Sequence, residues 1–272
     1  MKELLNTGPS PRGWHRLQLA LECTQKYGYH YEVGLGETEG KKNSPPLIKG
    51  SLIHLALAHH YMRVKAVQNA EDPEKWEEPR RAVQLVAQQN GPAWQEHVDL
   101  CIAAYDAYCE RWADEKLKIL EVERLAYAKI GDYAFTGRFD LVYEDRRGQI
   151  WVCDHKTTSR LYANQRKFYG ISGQLTGYAY MGYQIYGAKF AGIILNQIQH
   201  SKPQKFARQP LPPAPNLLKR FPQIVQDAEE RITRCKNSGR SAHNWPMAAN
   251  ELTCFSRYGA CPYLDRCRWG EK

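Results

Sequence analysis

Residues 137–159 read GRFDLVYEDRRGQIWVCDHKTTS. With Tyr133 to Thr136 before it, the segment up to Tyr143 alternates in the manner of a strand. Asp145-Arg-Arg-Gly148 is a turn by composition, and Gln149 to Lys156 forms a second apolar strand. Upstream, residues 117–130 (LKILEVERLAYAKI) also alternate, and Gly131-Asp132 joins them to the 133–143 strand as a hairpin. Downstream, a helix from Gly173 to about Tyr186 precedes an Ile- and Leu-rich strand, Phe190 to Gln199. Hairpin, strand, helix, strand describes an α/β fold: a central mixed sheet flanked by helices.

The flanks of this core read differently. Ser10 has the form of an N-cap with Pro11 at the first helical position, followed by Trp14, Leu17 and Leu21 at helical spacing. Residues 34–46 are a loop by composition. Apolar residues from Ile48 to about Val67 predict a well-buried helix carrying His54, and two further helices are expected at 79–90 and 92–115. Residues 203–215 are Pro-rich and read as a loop; 216–236 predict a helix, and the rest is loop around a cluster of cysteines. One domain is expected over 1–272: a helical N-terminal region (1–116), a catalytic core (117–200), and a C-terminal helix with cysteines (201–272).

Composition narrows the function. Hydrophobic residues make up 43% and charged residues 25% of the chain, enough to bury a core. No run approaches the roughly 18 apolar residues of a membrane helix, which argues against membrane integration. The N-terminus lacks the apolar core of a secretory signal, so a cytoplasmic location is expected. Charge is uneven: residues 157–272 hold 17 basic against 6 acidic side chains, while 1–156 hold 21 against 23. Such asymmetry is the footprint of a polyanion binder, and DNA is the partner it favours.

Asp140 and Asp154 lie on successive strands. Lys156 is two residues beyond Asp154 and points to the same side. Two carboxylates with a lysine at that spacing suit Mg²⁺ and phosphate chemistry. Taken alone, an Asp-x-Lys tripeptide is usually a solvated ion pair. Its surroundings carry more. Gly137-Arg-Phe-Asp140, the DHKTTS segment at 154–159, Gln174-x-x-x-Tyr178 and Gly50-x-x-x-His54 occur together in order. The series resembles the PD-(D/E)XK nuclease superfamily, in particular its RecB/AddB-like branch, which includes CRISPR-associated adaptation exonucleases and is similar to phage exonucleases.

The resemblance implies a restriction-endonuclease-like sheet and a DNA-hydrolysing site using Mg²⁺ or Mn²⁺. His54, Asp140 and Asp154 would be metal ligands, joined by the backbone carbonyl of His155; Lys156 would be the catalytic lysine. Gln174 and Tyr178 would contact DNA or brace the site. Glu123 is where some relatives place an additional acid, although a strand glutamate beside Arg124 is more often solvated. His59, His60 and the His155 ring read as structural. Tyr162, Phe168 and Tyr169, interleaved with Arg160, Arg166 and Lys167, could stack on unpaired bases or pack beneath a loop.

Of eight cysteines, Cys101, Cys109, Cys153 and Cys235 sit singly in apolar stretches and read as packing residues. Cys254, Cys261 and Cys267 form C-x6-C-x5-C. In the RecB/AddB-like branch, one N-terminal and three C-terminal cysteines hold a [4Fe–4S] cluster, a pattern that adds Cys23 to these three. The x5 spacing agrees with the best-known members, whereas x6 replaces their x2, so a zinc site stays open as the alternative. The resemblance implies an exonuclease acting on ends or single strands in recombination, repair or phage replication, with a recombination or annealing protein as a conceivable partner. A non-catalytic DNA-binding module and a structure-specific endonuclease are the rival functions.

Overall fold

The computed structural model describes residues 2, 4–36, 44–212, 214–256 and 259–270. Five strands, β1 (Lys118–Ile130), β2 (Tyr133–Glu144), β3 (Ile150–Thr158), β4 (Phe190–Gln199) and β5 (Lys205–Leu211), lie in sequential order in one sheet. All neighbours are antiparallel except β3 and β4. A parallel pair needs a crossover, which helix α5 (Gly173–Tyr186) supplies.

Helices cover both faces. On one side, α1 (Trp14–Glu22), α5 and α6 (Pro215–Lys236) bury a core that includes Leu17, Phe135, Phe139, Met181, Leu195 and Phe221. On the other, α2 (Pro45–Gln68), α3 (Pro79–Asn90) and α4 (Val98–Arg111) pack Leu52, Leu57, Cys101 and Tyr108 against Leu141, Cys153 and Ile194. The expected mixed sheet flanked by helices is therefore present. Arg16 ties α1 to α6 through a two-pronged pair with the buried Glu229, at 2.7 and 2.8 Å.

Several boundaries differ from expectation. Ser10 caps no helix: α1 begins at Trp14 after Gly13, and the Ser10 hydroxyl donates to the carbonyl of Thr136 at 3.2 Å. Pro11 thus belongs to a turn that anchors the N-terminal segment to β2. The helix expected over 92–115 is interrupted at Glu96-His97, leaving Pro92–Gln95 as a short turn before α4. The Pro-rich stretch hides β5, an edge strand in which Pro210 needs no ladder N–H on its open side. Most of the loop expected over 34–46 lies outside the described residues.

Glycines set two close approaches. A Cβ on Gly137 would stand 2.5 Å from Met181 Cε and 2.8 Å from the Tyr178 ring, so α5 rests directly on the β2 backbone. A Cβ on Gly50 would be 3.2 Å from Thr157 Oγ1, which brings α2 against β3. Gly137→Ala is expected to destabilise the protein by about 1–3 kcal/mol through overpacking. Chemical denaturation checks this, and an unchanged midpoint would contradict so tight a helix–strand contact.

Candidate active site

The sheet opens at one point. The β2–β3 ladder runs from Glu144↔Ile150 to Leu141↔Cys153 and stops, although both strands continue. The next facing positions in that register are Asp140 and Asp154. Instead of entering a ladder, the His155 N–H donates to Asp140 Oδ2 at 2.7 Å. The β1–β2 ladder also skips a pair here: Val122↔Leu141 and Arg124↔Phe139 are joined, and Glu123 lies opposite Asp140 between them. Glu123 has φ +50°, and its carbonyl accepts from Arg138 Nη1 at 3.1 Å. Side-chain alternation reverses across the break, since Phe139 joins the α5 core and Leu141 the α2 core. Three carboxylates, Glu123, Asp140 and Asp154, consequently stand in a row across three strands.

Two helices close on this row. From α2, the His54 ring brings Nδ1 to 3.6 Å from Asp140 Oδ2. From α5, Gln174 Oε1 accepts from Lys156 Nζ at 3.2 Å, and Gln174 Nε2 donates to Tyr178 OH at 3.0 Å. Lys156 also donates to Asp154 Oδ1 at 3.0 Å. The buried Asp154 Oδ2 is 2.8 Å from the same nitrogen but accepts no hydrogen bond, because the approach lies outside hydrogen-bonding angles.

Burial and like charge act together on the acids. The Glu123 carboxyl is pushed well above the ordinary carboxylate range, chiefly by burial and then by Asp140, with Arg138 opposing. Asp140 is also raised by burial and by Asp154, against His54, Lys156 and the His155 N–H. Lys156 moves upward because the two aspartates outweigh the effect of its burial. Carboxylate oxygens and one imidazole are suitable donors for a hard divalent cation. Among the described residues, no three His, Cys, Asp or Glu side chains are drawn together as a formed cation site.

A sequence profile of the PD-(D/E)XK nuclease superfamily matches residues 14–268. The chain belongs to that superfamily. No curated protein matches it. Among solved structures it is similar to one from Eubacterium rectale named "Putative exonuclease". The two share 14% identity with a TM-score of 0.50, over 84% of this chain and 82% of the other. A second structure, named SSO0001, aligns at 14% identity and a TM-score of 0.31, over 82% of this chain and 90% of the other. The first likeness speaks for the fold.

In this superfamily member the site rests on a buried polar chain that the sequence did not reveal. The His155 ring turns to the α2 face, where Nδ1 accepts from Asn196 Nδ2 at 2.8 Å. Asn196 also meets Tyr108 OH at 2.9 Å, and Tyr108 is hydrogen-bonded to Tyr61 and Arg208. Arg208 pairs with Glu115 and lies over the Trp112 ring, 4.0 Å from its centroid. Burial, reinforced by His54, Arg208 and Lys156, keeps His155 neutral. His59 is structural as expected: its Nε2 accepts from the Leu5 N–H at 3.2 Å and its Nδ1 meets the Glu77 carbonyl.

Glu123 corrects one reading outright. It is buried, and Arg124 pairs with Glu121 instead. Its only sequence signal was its place on the first strand of the hairpin.

Cys23, Cys254 and Cys261 lie near enough to Cys267 to act on its thiol, although the four are not drawn together as a formed metal site among the described residues. The Cys267 thiol is pushed up to about 11, first by burial and then by Cys23, Cys261 and Cys254. Cys261 donates its N–H to the Cys254 carbonyl at 2.7 Å, and the Ala248 N–H reaches Cys23 Sγ at 3.4 Å. Cys101, Cys153 and Cys235 are buried apart from them, as packing residues would be.

The raised acids give a pH signature. Glu123 binds its proton more tightly folded than unfolded, so the folded state carries the extra proton and stability falls as pH rises. Histidines held neutral by burial act at lower pH, and unfolded thiols titrate higher. In EDTA, the melting temperature is therefore expected to drop between roughly pH 6.5 and 8. Glu123→Gln should flatten that slope, and an unchanged slope would assign it to other groups.

Proposed function

We propose that this chain is a divalent-cation-dependent deoxyribonuclease of the RecB/AddB-like branch, an exonuclease acting on DNA ends or single strands. One observation carries the reading: the buried Glu123 and Asp154, the half-buried Asp140 and His54 meet a lysine held by Asp154 and Gln174 at the open end of the β2–β3 ladder. Mg²⁺ or Mn²⁺ is the proposed cofactor, with His54, Asp140, Asp154 and the His155 carbonyl as ligands and Glu123 as a further acid. The donor chemistry fits, and the orphaned Asp154 Oδ2 is an oxygen such an ion can use. A bound cation there would polarise the phosphodiester and acidify water.

The chain's own groups have distinct tasks. Lys156 keeps its proton and sets a positive charge beside the phosphate as negative charge develops. Gln174, itself fixed by Tyr178, holds the ammonium in place. Asp140 is oriented by the His155 N–H, so its carboxylate need not reorganise during the reaction. The basic excess of residues 157–272 supports DNA as the polyanion bound. Work in recombination, repair or phage replication beside an annealing protein, in the cytoplasm, belongs to the same proposal.

The test is digestion of end-labelled linear and circular single-stranded DNA with Mg²⁺, Mn²⁺ or EDTA. Linear DNA should be degraded with either metal and circles spared; opened circles would indicate an endonuclease, and a mobility shift alone a non-catalytic binder. Asp154→Ala and Lys156→Ala should each lower activity by far more than tenfold while leaving the fold intact. A loss within about tenfold, only about 1.4 kcal/mol on the barrier, would refute the site assignment.

The cysteine quartet is proposed to hold a [4Fe–4S] cluster, with zinc as the alternative. Four cysteine thiolates are the donor set either group requires, and three of these thiols lie close enough to act on the fourth, Cys267. Anaerobically purified protein should be brown, and Cys23→Ala should bleach it and lower its melting temperature, whereas Cys101→Ala should keep the colour. Colourless protein with one zinc per chain would transfer the site to zinc.

A further inference from the structure

We infer that the cleft beside Lys156 is a seat for one unpaired nucleobase adjoining the phosphate to be cut; this rests on the nuclease reading. The cleft has a volume of about 490 Å³ and is lined by Lys156, Tyr162, Gln165, Phe168 and Gln197, among others. That size lies within the roughly 300–1,000 Å³ of small-ligand pockets. A larger hollow of about 830 Å³ lies behind Tyr61, Tyr108 and Glu115, away from the three acids.

Two glutamines, Gln165 and Gln197, line the cleft. Gln197 pairs with Lys156 across the parallel β3–β4 ladder and so shares its face of the sheet. It is only 2% exposed and lines the cleft beside Lys156. Its β5 neighbour is Ala207, too short to cover it. Gln165 contributes a buried amide oxygen with no hydrogen-bond partner. An amide offers both donor and acceptor, as a base edge does, whereas a phosphate presents acceptors alone.

Tyr162, Phe168 and Tyr169 add aromatic rings to the lining, with basic residues next to them in the chain. Tyr162 is 60% exposed and Phe168 55%, a degree of exposure that does not suit packing residues. Arg160 lies 6.0 Å from the Tyr162 ring centroid, and Arg166 and Lys167 occupy the short helix Gln165–Tyr169. This segment is braced: the Leu161 N–H donates to Gln199 Oε1 at 3.0 Å, and Gln199 Nε2 reaches the Pro203 carbonyl at 2.8 Å. A duplex base, stacked on both faces and paired at its edge, cannot present itself to such rings and an amide together. An unpaired base can.

The test walks a single abasic nucleotide through a single-stranded oligonucleotide with Mg²⁺ and reads cleavage at each phosphate. The parent protein should cut the phosphate beside the abasic position at least about fivefold more slowly than the same phosphate in intact DNA. Tyr162→Ala, a surface change that should not disturb folding, and Gln197→Leu should both erase that discrimination. In EDTA, 2-aminopurine placed at the same position should be quenched by the parent and less so by Tyr162→Ala. Equal cutting of intact and abasic DNA, or discrimination retained in both variants, overturns the seat while leaving the nuclease reading intact. Should the parent cut no DNA at all, the nuclease reading fails, and the 2-aminopurine signal alone upholds or rejects a base seat.

Discussion

Asp140 accepts, through its side chain, the His155 N–H that a continued β2–β3 ladder would have given to a backbone carbonyl. Much of the molecule follows from that exchange. Carboxylates facing one another across paired strands repel, and here Glu123, Asp140 and Asp154 would occupy three consecutive cross-strand positions. Parting β2 from β3 and leaving Glu123 unpaired in the β1–β2 ladder relieves the ladders of them. The same bend sends successive β2 side chains into different cores, so α5 settles on Gly137 from one side and α2 on Thr157, through Gly50, from the other. His54 and the Gln174–Tyr178 pair reach one spot because the sheet is open there.

Beneath the opening lies a polar network that substitutes for apolar packing. His155, Asn196, Tyr108, Tyr61, Arg208 and Glu115 form a connected chain with a guanidinium at one end. Its hydrogen bonds connect these side chains into one unit, although Asn196 Oδ1 and Arg208 Nε are buried without partners among the described residues. The backbone of β3 is thereby held from below while its carboxylate and ammonium work from above. Glu123 shows the opposing cost: a positive φ and a carboxyl forced towards its neutral form, strain of the sort that persists where surrounding structure enforces it.

The sheet was legible because its strands carry strong local signals: hydrophobic alternation, Gly131-Asp132, and the Asp145–Gly148 turn. Asp154 and Lys156 were legible together through the two-residue period of a strand. What stayed hidden has a common cause. Glu123 looked solvated because its burial comes from its positive-φ backbone and its place opposite Asp140 on β2, neither of which is encoded in its neighbours. Arg208 and Asn196 join His155 from 53 and 41 positions away, with no motif to announce them. β5 was masked by Pro210 and the prolines around it, since composition describes a loop while an edge position tolerates the ring.

The first turns of the chain are stitched to its last third. Thr24 and Gln25 bond to the Pro246 carbonyl, Tyr27 stacks on Trp245, and Arg16 needs Glu229. Trp14 packs so closely on α5 that a Cβ at Gly173 would come within 2.1 Å of its ring. During synthesis, then, α1 emerges from the ribosome about 150 residues before α5 and more than 200 before Glu229 and Trp245. It must wait, with Leu17 and Trp14 uncovered, while the sheet assembles without it. Contacts of such long sequence separation slow the search for the native state, and the unfinished chain meanwhile shows apolar surface to the cell's holding chaperones.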